Sequence, residues 1–384
     1  MKILHCLIDD KFLDGVINVF NYSQVKYNNI DNHYIYIYKD KCPDEFVYVK
    51  QKDKIDLVSA ENALDHIINN RFDVVVLHSF PSLPLKVISK LPRCIKLIWF
   101  AWGYDIYNDR FEHKALVPIK KYKQITQTYL RNTKENKVSL RDCLYKIKQR
   151  LIYSRLYERA ISRVDYFSGV IPAEYDMLEK LPYFRAKRID YNYFDIPSNR
   201  ELSDSNGNNI IIGNSADYTN NHLDIIDILK NVDLGDRKVF IPLSYPSNVN
   251  DYVGEIVSRG KEAWSMNFVP LLSFMSYEEY RNIISSCKYA VFYHERQQAM
   301  GNIWMALNLG ICVFMSKYSA AYKHLCECGF IIFSVQDDLE LMLRTGQSLT
   351  NEQKMQNKEL FKKYFSFDSF INKIYKIYDL LTIN

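Results

Sequence analysis

The chain has 384 residues, 48% of them hydrophobic and 25% charged, with a formal net charge of +5. That length exceeds one ordinary core and suits two domains, and no apolar run approaches the length of a membrane span. The start, MKILHCLIDD, carries acids where a secretory signal would have its apolar stretch, so a cytosolic protein, or one held to the cytosolic side of a membrane, is expected. Eight cysteines are scattered, and Cys326-x-Cys328 lacks a second pair at zinc spacing, which points to free buried thiols. With twelve glycines there is no G-x-G-x-x-G loop.

Taken in order, residues 2–8 predict a strand, 12–20 a helix and Tyr34–Tyr38 a second strand. A helical stretch near Ala60–Asn69 precedes the continuous apolar run 72–78, then a helix over 82–90 and a strand over 95–100 that ends in Ala101-Trp102-Gly103-Tyr104-Asp105. Strands alternating with helices imply a parallel sheet with functional groups at the carboxyl ends of the strands. Asp10, His78 and Asp105 sit at such ends and are candidate general bases for a group transfer. The bland alternatives are a satisfied buried histidine for His78 and a helix cap for Asp105. Trp102 and Tyr104 could stack on a sugar ring, and Lys11 and Gly103 complete the candidate acceptor contacts.

Residues 110–163 break the rhythm, with fifteen Lys/Arg against four acids, a local charge of +11. Tyr and Leu are interleaved, and 139–163 predict one long basic amphipathic helix of the kind that lies on anionic lipid. A solvated helix packed on its own domain fits equally well. Nucleic acid would also attract such a stripe, but no nucleic-acid module surrounds it, so none is expected as a partner.

A strand over 165–170 and a helix from about Ala173 close the first half, and 197–208 form the best linker. A second alternating series follows: strand 209–212 into Gly213-Asn214-Ser215, a helix opened by Asn220-Asn221-His222, strand 238–241 into Ser244-Tyr245, helix 252–264 and strand 268–272. Ser276 and Glu279 resemble a capping box. Strand 289–293 feeds the polar run His294-Glu295-Arg296-Gln297-Gln298 and a helix over 299–309. Strands at 311–315 and 330–333, a helix at 320–328 and two terminal amphipathic helices complete the series.

Three loops of this half therefore end on one rim. Helix-start N–H groups and Arg296 suit a diphosphate, and Glu295 suits sugar or ribose hydroxyls. Gln297, Gln298 and Asn302 could contact hydroxyls or a base edge, or merely cap turns. The chain holds no D-x-D triplet, so a metal-bound diphosphate is not signalled and neither metal nor cofactor is expected.

GNSADYTNNH (213–222), IPLSYP (241–246), FMSYEEY (274–280) and HERQQAMGN (294–302) resemble the motif blocks of glycosyltransferase family 56, typified by the N-acetylfucosaminyltransferase that acts on lipid II in enterobacterial common antigen synthesis. FAWGYDIY (100–107) and the HCLIDDKF start resemble the family less closely. The resemblance implies an α/β fold of GT-B type, two Rossmann-like domains facing across a cleft. It implies an acceptor-binding domain over 1–200, including the basic segment 110–163, and a nucleotide-sugar-binding domain over 206–384. Gly213, Asn214, Ser215, Asn220, His222, Ser244, Tyr245, Arg296, Gln297, Gln298, Gly301 and Asn302 carry over as donor-site residues, joined by His294 and Glu295 from the polar run. The expected reaction moves a 4-acetamido-4,6-dideoxyhexose such as N-acetylfucosamine from a dTDP-sugar to a polyprenyl-diphosphate-linked saccharide. The expected location is peripheral, on the cytoplasmic face of a bacterial inner membrane, with an anionic lipid surface as partner. A nucleotide-sugar epimerase or hydrolase of the same fold, and a non-catalytic membrane-docked scaffold, are the alternatives.

Overall fold

The computed structural model describes residues 1–10, 12–107, 116–133, 154–191, 193, 204–246 and 249–382. The chain forms two compact units. Unit 1 comprises Met1–Pro118, Val138–Pro197 and Phe365–Asn384, and unit 2 comprises Ile119–Lys137 and Ser198–Tyr364.

The strands of unit 1 are β1 (Lys2–Leu7), β2 (Asp31–Tyr38), β3 (Ile55–Ser59), β4 (Val74–His78), β5 (Lys96–Phe100), β6 (Tyr166–Ser168) and β7 (Lys187–Arg188). They pair in the order β3-β2-β1-β4-β5-β6-β7, all parallel. Unit 2 repeats the plan with β8 (Asn209–Ile212), β9 (Val239–Pro242), β10 (Phe268–Leu271), β11 (Cys287–Phe292), β12 (Cys312–Met315) and β13 (Phe333–Ser334), in the order β10-β9-β8-β11-β12-β13. Helices cover both faces of such sheets, which is why VVVLH and CVFM are buried at every position rather than alternating. In each sheet the winding reverses beside the first strand, between β1 and β4 and between β8 and β11. Loops leaving the carboxyl ends there diverge and open a crevice for a ligand.

The division departs from the expected boundary in two places. The last helix, Phe367–Thr382, buries Phe370, Ile371, Ile374, Ile377 and Tyr378 in the core of unit 1, against Leu13, Val16 and Phe20. Burying each such side chain contributes roughly 2 kcal/mol before ordering costs. Residues 119–137, from within the basic segment, belong to unit 2. Of the long helix expected over 139–163, residues 139–153 lie outside the described residues, and 154–161 are helical. Arg163 is not part of a solvated stripe: it is buried, with Nε donating to Leu91 O at 3.1 Å and Nη1 to Asp165 Oδ2 at 2.9 Å. Among the cysteines, Cys6, Cys287 and Cys312 are buried free thiols, whereas Cys42, Cys94 and Cys326 are exposed. Cys143 lies outside the described residues.

Unit 2 holds its borrowed segment by hydrogen bonds. Helix Gln124–Thr133 starts after Lys123, whose side chain offers no acceptor for the first free N–H groups. Asp224 takes that role: it accepts from Ile125 N–H at 2.8 Å, Thr126 N–H at 3.0 Å and Thr126 Oγ1 at 2.7 Å. Asn221 accepts from Lys123 N–H at 2.8 Å and donates to Lys121 O at 3.2 Å. Asp224→Ala, which removes a buried cap, should cost about 2 kcal/mol. Denaturant unfolding should show a lower midpoint at an unchanged slope, and an unchanged midpoint would refute the cap.

Candidate functional site

Unit 1 gathers the expected acceptor-side residues at the carboxyl ends of β1, β4 and β5, but gives them different work. Asp105 is fully buried. Its Oδ1 accepts from Ser79 Oγ at 2.9 Å, and its Oδ2 from Phe80 N–H at 3.1 Å, Trp102 N–H at 3.1 Å and Trp99 Nε1 at 3.3 Å. A carboxylate sealed from water and holding four donors pins the loops after β4 and β5. Where it lies it is enclosed by these donors, and from the first turn of helix Gly103–Tyr107 it accepts from the residue ahead of that helix rather than capping the segment that follows. His78 is likewise fully buried. Its Nε2 lies 2.9 Å from His5 Nδ1 and its Nδ1 3.2 Å from Tyr193 OH, while His5 Nε2 donates to Asn32 Oδ1 at 3.1 Å. With Trp102 Nε1 donating to Tyr193 OH at 3.1 Å, these bonds form one chain from the rim into the core. Both imidazoles are neutral links, and His78 is a satisfied core histidine.

Asp10 is the one proposed base that is half-exposed. Its Oδ1 accepts from Phe12 N–H at 3.1 Å, which turns the chain out of β1. The Phe12 ring packs 5.4 Å from Trp102, which lies 4.7 Å from Tyr193 and 6.2 Å from Tyr104. Asp10 thus holds the backbone of Phe12, whose ring joins a cluster with Trp102, Tyr193 and Tyr104. Gly103 opens helix Gly103–Tyr107 beside it, and Lys11 lies outside the described residues. Sequence reasoning missed Asp9, which accepts from Val47, Tyr48 and Val49 N–H and fixes that loop.

In unit 2 the three expected loops do meet. Gly213 follows β8 with φ of +70°, where a Cβ would sit 2.7 Å from both Asn220 Oδ1 and His222 Nε2, so glycine is required. Asn220 is buried under the loop: its Oδ1 accepts from Asn214 N–H at 3.1 Å and from His294 Nε2 at 2.8 Å. Its Nδ2 donates to Ser215 O at 2.9 Å and Asp217 O at 3.1 Å. Asn214 then ties the rims together, with Nδ2 donating to Tyr245 OH at 3.3 Å and Oδ1 accepting from Gln298 Nε2 at 3.3 Å. Gln298 Oε1 in turn accepts from Thr219 Oγ1 at 2.5 Å.

This geometry sorts the expected donor-site residues. Asn214, Ser244, Gln298 and Asn302 are half-exposed, and Tyr245 and Gly301 are exposed, so all six can face a ligand. Ser215, Asn220, His222, His294 and Gln297 are buried, and of these Asn220, bonded to His294, holds the loop after β8 from beneath. Arg296 is mostly buried, four residues ahead of helix Met300–Asn308, whose preceding residue Ala299 holds φ of +58°. Glu295 is engaged within the protein: Oε1 accepts from Ser316 Oγ at 2.7 Å and pairs with Lys123. Sequence reasoning missed Lys123 and Ser316.

Four buried histidines set the response to acid. Burial lowers His5 to about 4 and His222 to about 3. Burial, then the charge of His5, holds His78 well below the ordinary value; burial, then Arg296 and His222, does so for His294. Unfolded, all four titrate near ~6.5. The folded state thus binds fewer protons below that pH, and the stability present above it is lost as pH falls toward about 4. Glu174 opposes this: burial raises its carboxyl to about 7, so its contribution is lost as pH rises through that value. Four imidazoles against one carboxyl decide the sign. The thermal midpoint should drop by several degrees as pH is lowered from ~7 to ~5, and His5→Gln should flatten the drop. A midpoint independent of pH across that window would refute the neutral-imidazole assignment.

The family model described as "4-alpha-L-fucosyltransferase glycosyl transferase group 56" matches residues 135–369. Among solved structures, Anabaena HepE in complex with UDP and glucose is 13% identical, with a TM-score of 0.63 over 99% of each chain. A glycosyltransferase from Rickettsia africae is 13% identical at a TM-score of 0.63, covering 100% of this chain and 99% of that one. OtsA in its apo form is 11% identical at 0.58, covering 99% of this chain and 98% of its own. Identities this low show the fold, which is of GT-B type, and no helix among the described residues is long and apolar enough to cross a membrane. The family match spans more than half of the sequence, and the chain accordingly belongs to glycosyltransferase group 56 and is a glycosyltransferase.

Proposed function

We propose that the protein transfers a 4-acetamido-4,6-dideoxyhexose, such as N-acetylfucosamine, from a dTDP-sugar to a polyprenyl-diphosphate-linked saccharide in bacterial surface polysaccharide synthesis. The observation that carries this is the bonded rim of unit 2. Asn214, Tyr245 and Gln298 form one polar surface at the ends of β8, β9 and β11, with Arg296 at the turn that leads into a helix start. Such a surface suits a nucleoside diphosphate: the guanidinium supplies paired donors, and helix-start N–H groups add partial positive charge. The UDP bound to HepE is a nucleotide ligand of the same class in a protein of the same fold.

In the reaction, the acceptor hydroxyl oxygen forms a bond to the anomeric carbon of the donor as the bond from that carbon to the diphosphate oxygen breaks. The electron pair leaves with the nucleoside diphosphate, whose charge Arg296 and the helix start stabilise without a metal ion. The hydroxyl proton passes to Asp10, the half-exposed carboxylate that follows β1. For the lipid-linked acceptor, residues 134–153 carry six Lys/Arg against two acids, a net charge of +4. Attraction to an anionic bilayer is worth about 1 kcal/mol per nearby basic residue and weakens with salt.

The function is tested by incubating the protein with the dTDP-sugar and a polyprenyl-diphosphate disaccharide in anionic vesicles containing EDTA. Release of dTDP matched by extension of the lipid-linked saccharide is expected. Release without acceptor would mean a hydrolase, and no turnover until Mg²⁺ is supplied would refute the metal-free mechanism. In the same assay Asp10→Asn should slow turnover about a hundredfold or more at an unchanged thermal midpoint, and a normal rate would remove Asp10 as the base. Arg296→Ala should weaken dTDP binding at least about tenfold by calorimetry. Wild-type affinity in that variant would sink the diphosphate assignment.

A further inference from the structure

A carboxylate next to the arginine that meets an anionic ligand needs a reason. Glu295 has a side chain only 13% exposed, and both of its protein partners converge on Oε1: Ser316 Oγ donates at 2.7 Å, and the Lys123 ammonium forms an ion pair. No described residue bonds to Oε2. Lys123 Nζ also lies 3.5 Å from Ser316 Oγ and sits over the rings of Tyr293 and Tyr318, 4.6 and 5.3 Å from their centroids. Ser316 in turn accepts from Gln336 Nε2 at 3.1 Å. The loops after β11, β12 and β13 therefore meet at Ser316 Oγ.

Lys123 reaches this point because its backbone is bolted to unit 2 by Asn221, and the helix that follows it is capped by Asp224. A cation held at both its backbone and its ammonium is a fixed part of the rim. Two donors on a single carboxylate oxygen fix the rotation of the group, so the other oxygen becomes an acceptor with a set direction. The partner that matches an acceptor-only atom beside a diphosphate-binding turn is a sugar hydroxyl.

We propose that Lys123 is a positioning residue of the donor site: by clamping Oε1 of Glu295 it aims Oε2 at a hydroxyl of the nucleotide-sugar, and so helps to set which donor is accepted. This rests on unit 2 being the donor site. It adds to that site a residue supplied by the N-terminal half of the sequence.

Full-length protein separates the two levels. If the wild type binds none of the dTDP-, UDP- or GDP-sugars in calorimetry, the donor-site assignment itself fails, whatever Lys123 does. With a donor identified, Lys123→Met and Glu295→Gln should each raise its KM about tenfold and change kcat much less. The double variant should be no worse than the worse single one, because both remove the same aimed oxygen. A merely structural role would lower the thermal midpoint and leave donor KM unmoved. Unchanged donor KM in both variants, or losses that multiply in the double variant, would overturn the proposal. Should Lys123→Met fail to accumulate, Glu295→Gln decides alone: a wild-type donor KM in that variant overturns it.

Discussion

The rim of unit 2 depends on one buried amide. Asn220 accepts from the backbone of Asn214 and from His294, and donates to the carbonyls of Ser215 and Asp217, so every polar atom of its side chain is in use. Those bonds join the loop after β8 to the loop after β11 across the reversal of strand order. Removing the amide would leave buried donors and acceptors on both loops without partners, a cost that grows in a low-dielectric interior. The need for glycine at 213 follows from the same contact, since any Cβ there would strike Asn220 and His222. Sequence motif, backbone conformation and the exposed Asn214–Tyr245–Gln298 surface are thus consequences of one hydrogen-bonding group.

Unit 1 meets the same physical problem with different groups. Its buried polar residues are a carboxylate with four donors, Asp105, and the chain from Trp102 through Tyr193, His78 and His5 to Asn32. Tyr378 of the terminal helix closes the inner end of that chain, accepting from Asn32 Nδ2 at 3.0 Å and lying 2.8 Å from Ser23 Oγ. The aromatic rim around Trp102 is therefore set from the core outward, and the last helix of the sequence takes part in setting it.

Much of this was legible in the sequence, and the remainder was illegible for physical reasons. Strands buried on both faces announce themselves as apolar runs, which is why β1, β4, β8, β11 and β12 were expected close to their observed ends. The edge strand β3, IDLVS, is exposed at its second and third residues and produces no such run, whereas the apolar run expected as a strand over 330–333 pairs only at Phe333–Ser334. Spacing at 370, 371, 374, 377 and 378 tells which face of the last helix is buried, but not which sheet it covers. Within the site, Asp105 accepting from Trp102 N–H is a local three-residue relation that spacing can suggest. Whether Asn220 or Asn214 faces the ligand depends on burial, which two neighbouring polar residues do not reveal. The bond from Lys123 N–H to Asn221 spans 98 residues, and the Glu295 pair is longer still. No local pattern encodes either.

The same long-range pair settles how the rim can be electropositive with a carboxylate in it. His294 lies beside Arg296 in the packing, and protonating it would raise the local charge further. Burial opposes this first, and the guanidinium opposes it second. His294 is therefore hydrogen-bonding scaffold for Asn220, and its neutrality is partly a result of the arginine being charged. Glu295 would cancel that arginine, yet its charge is met by Lys123, so the three groups sum to a single positive charge near the helix start. An electropositive turn built in this way keeps its charge while His294 stays neutral, and its constancy depends on a lysine drawn from a segment far away in sequence.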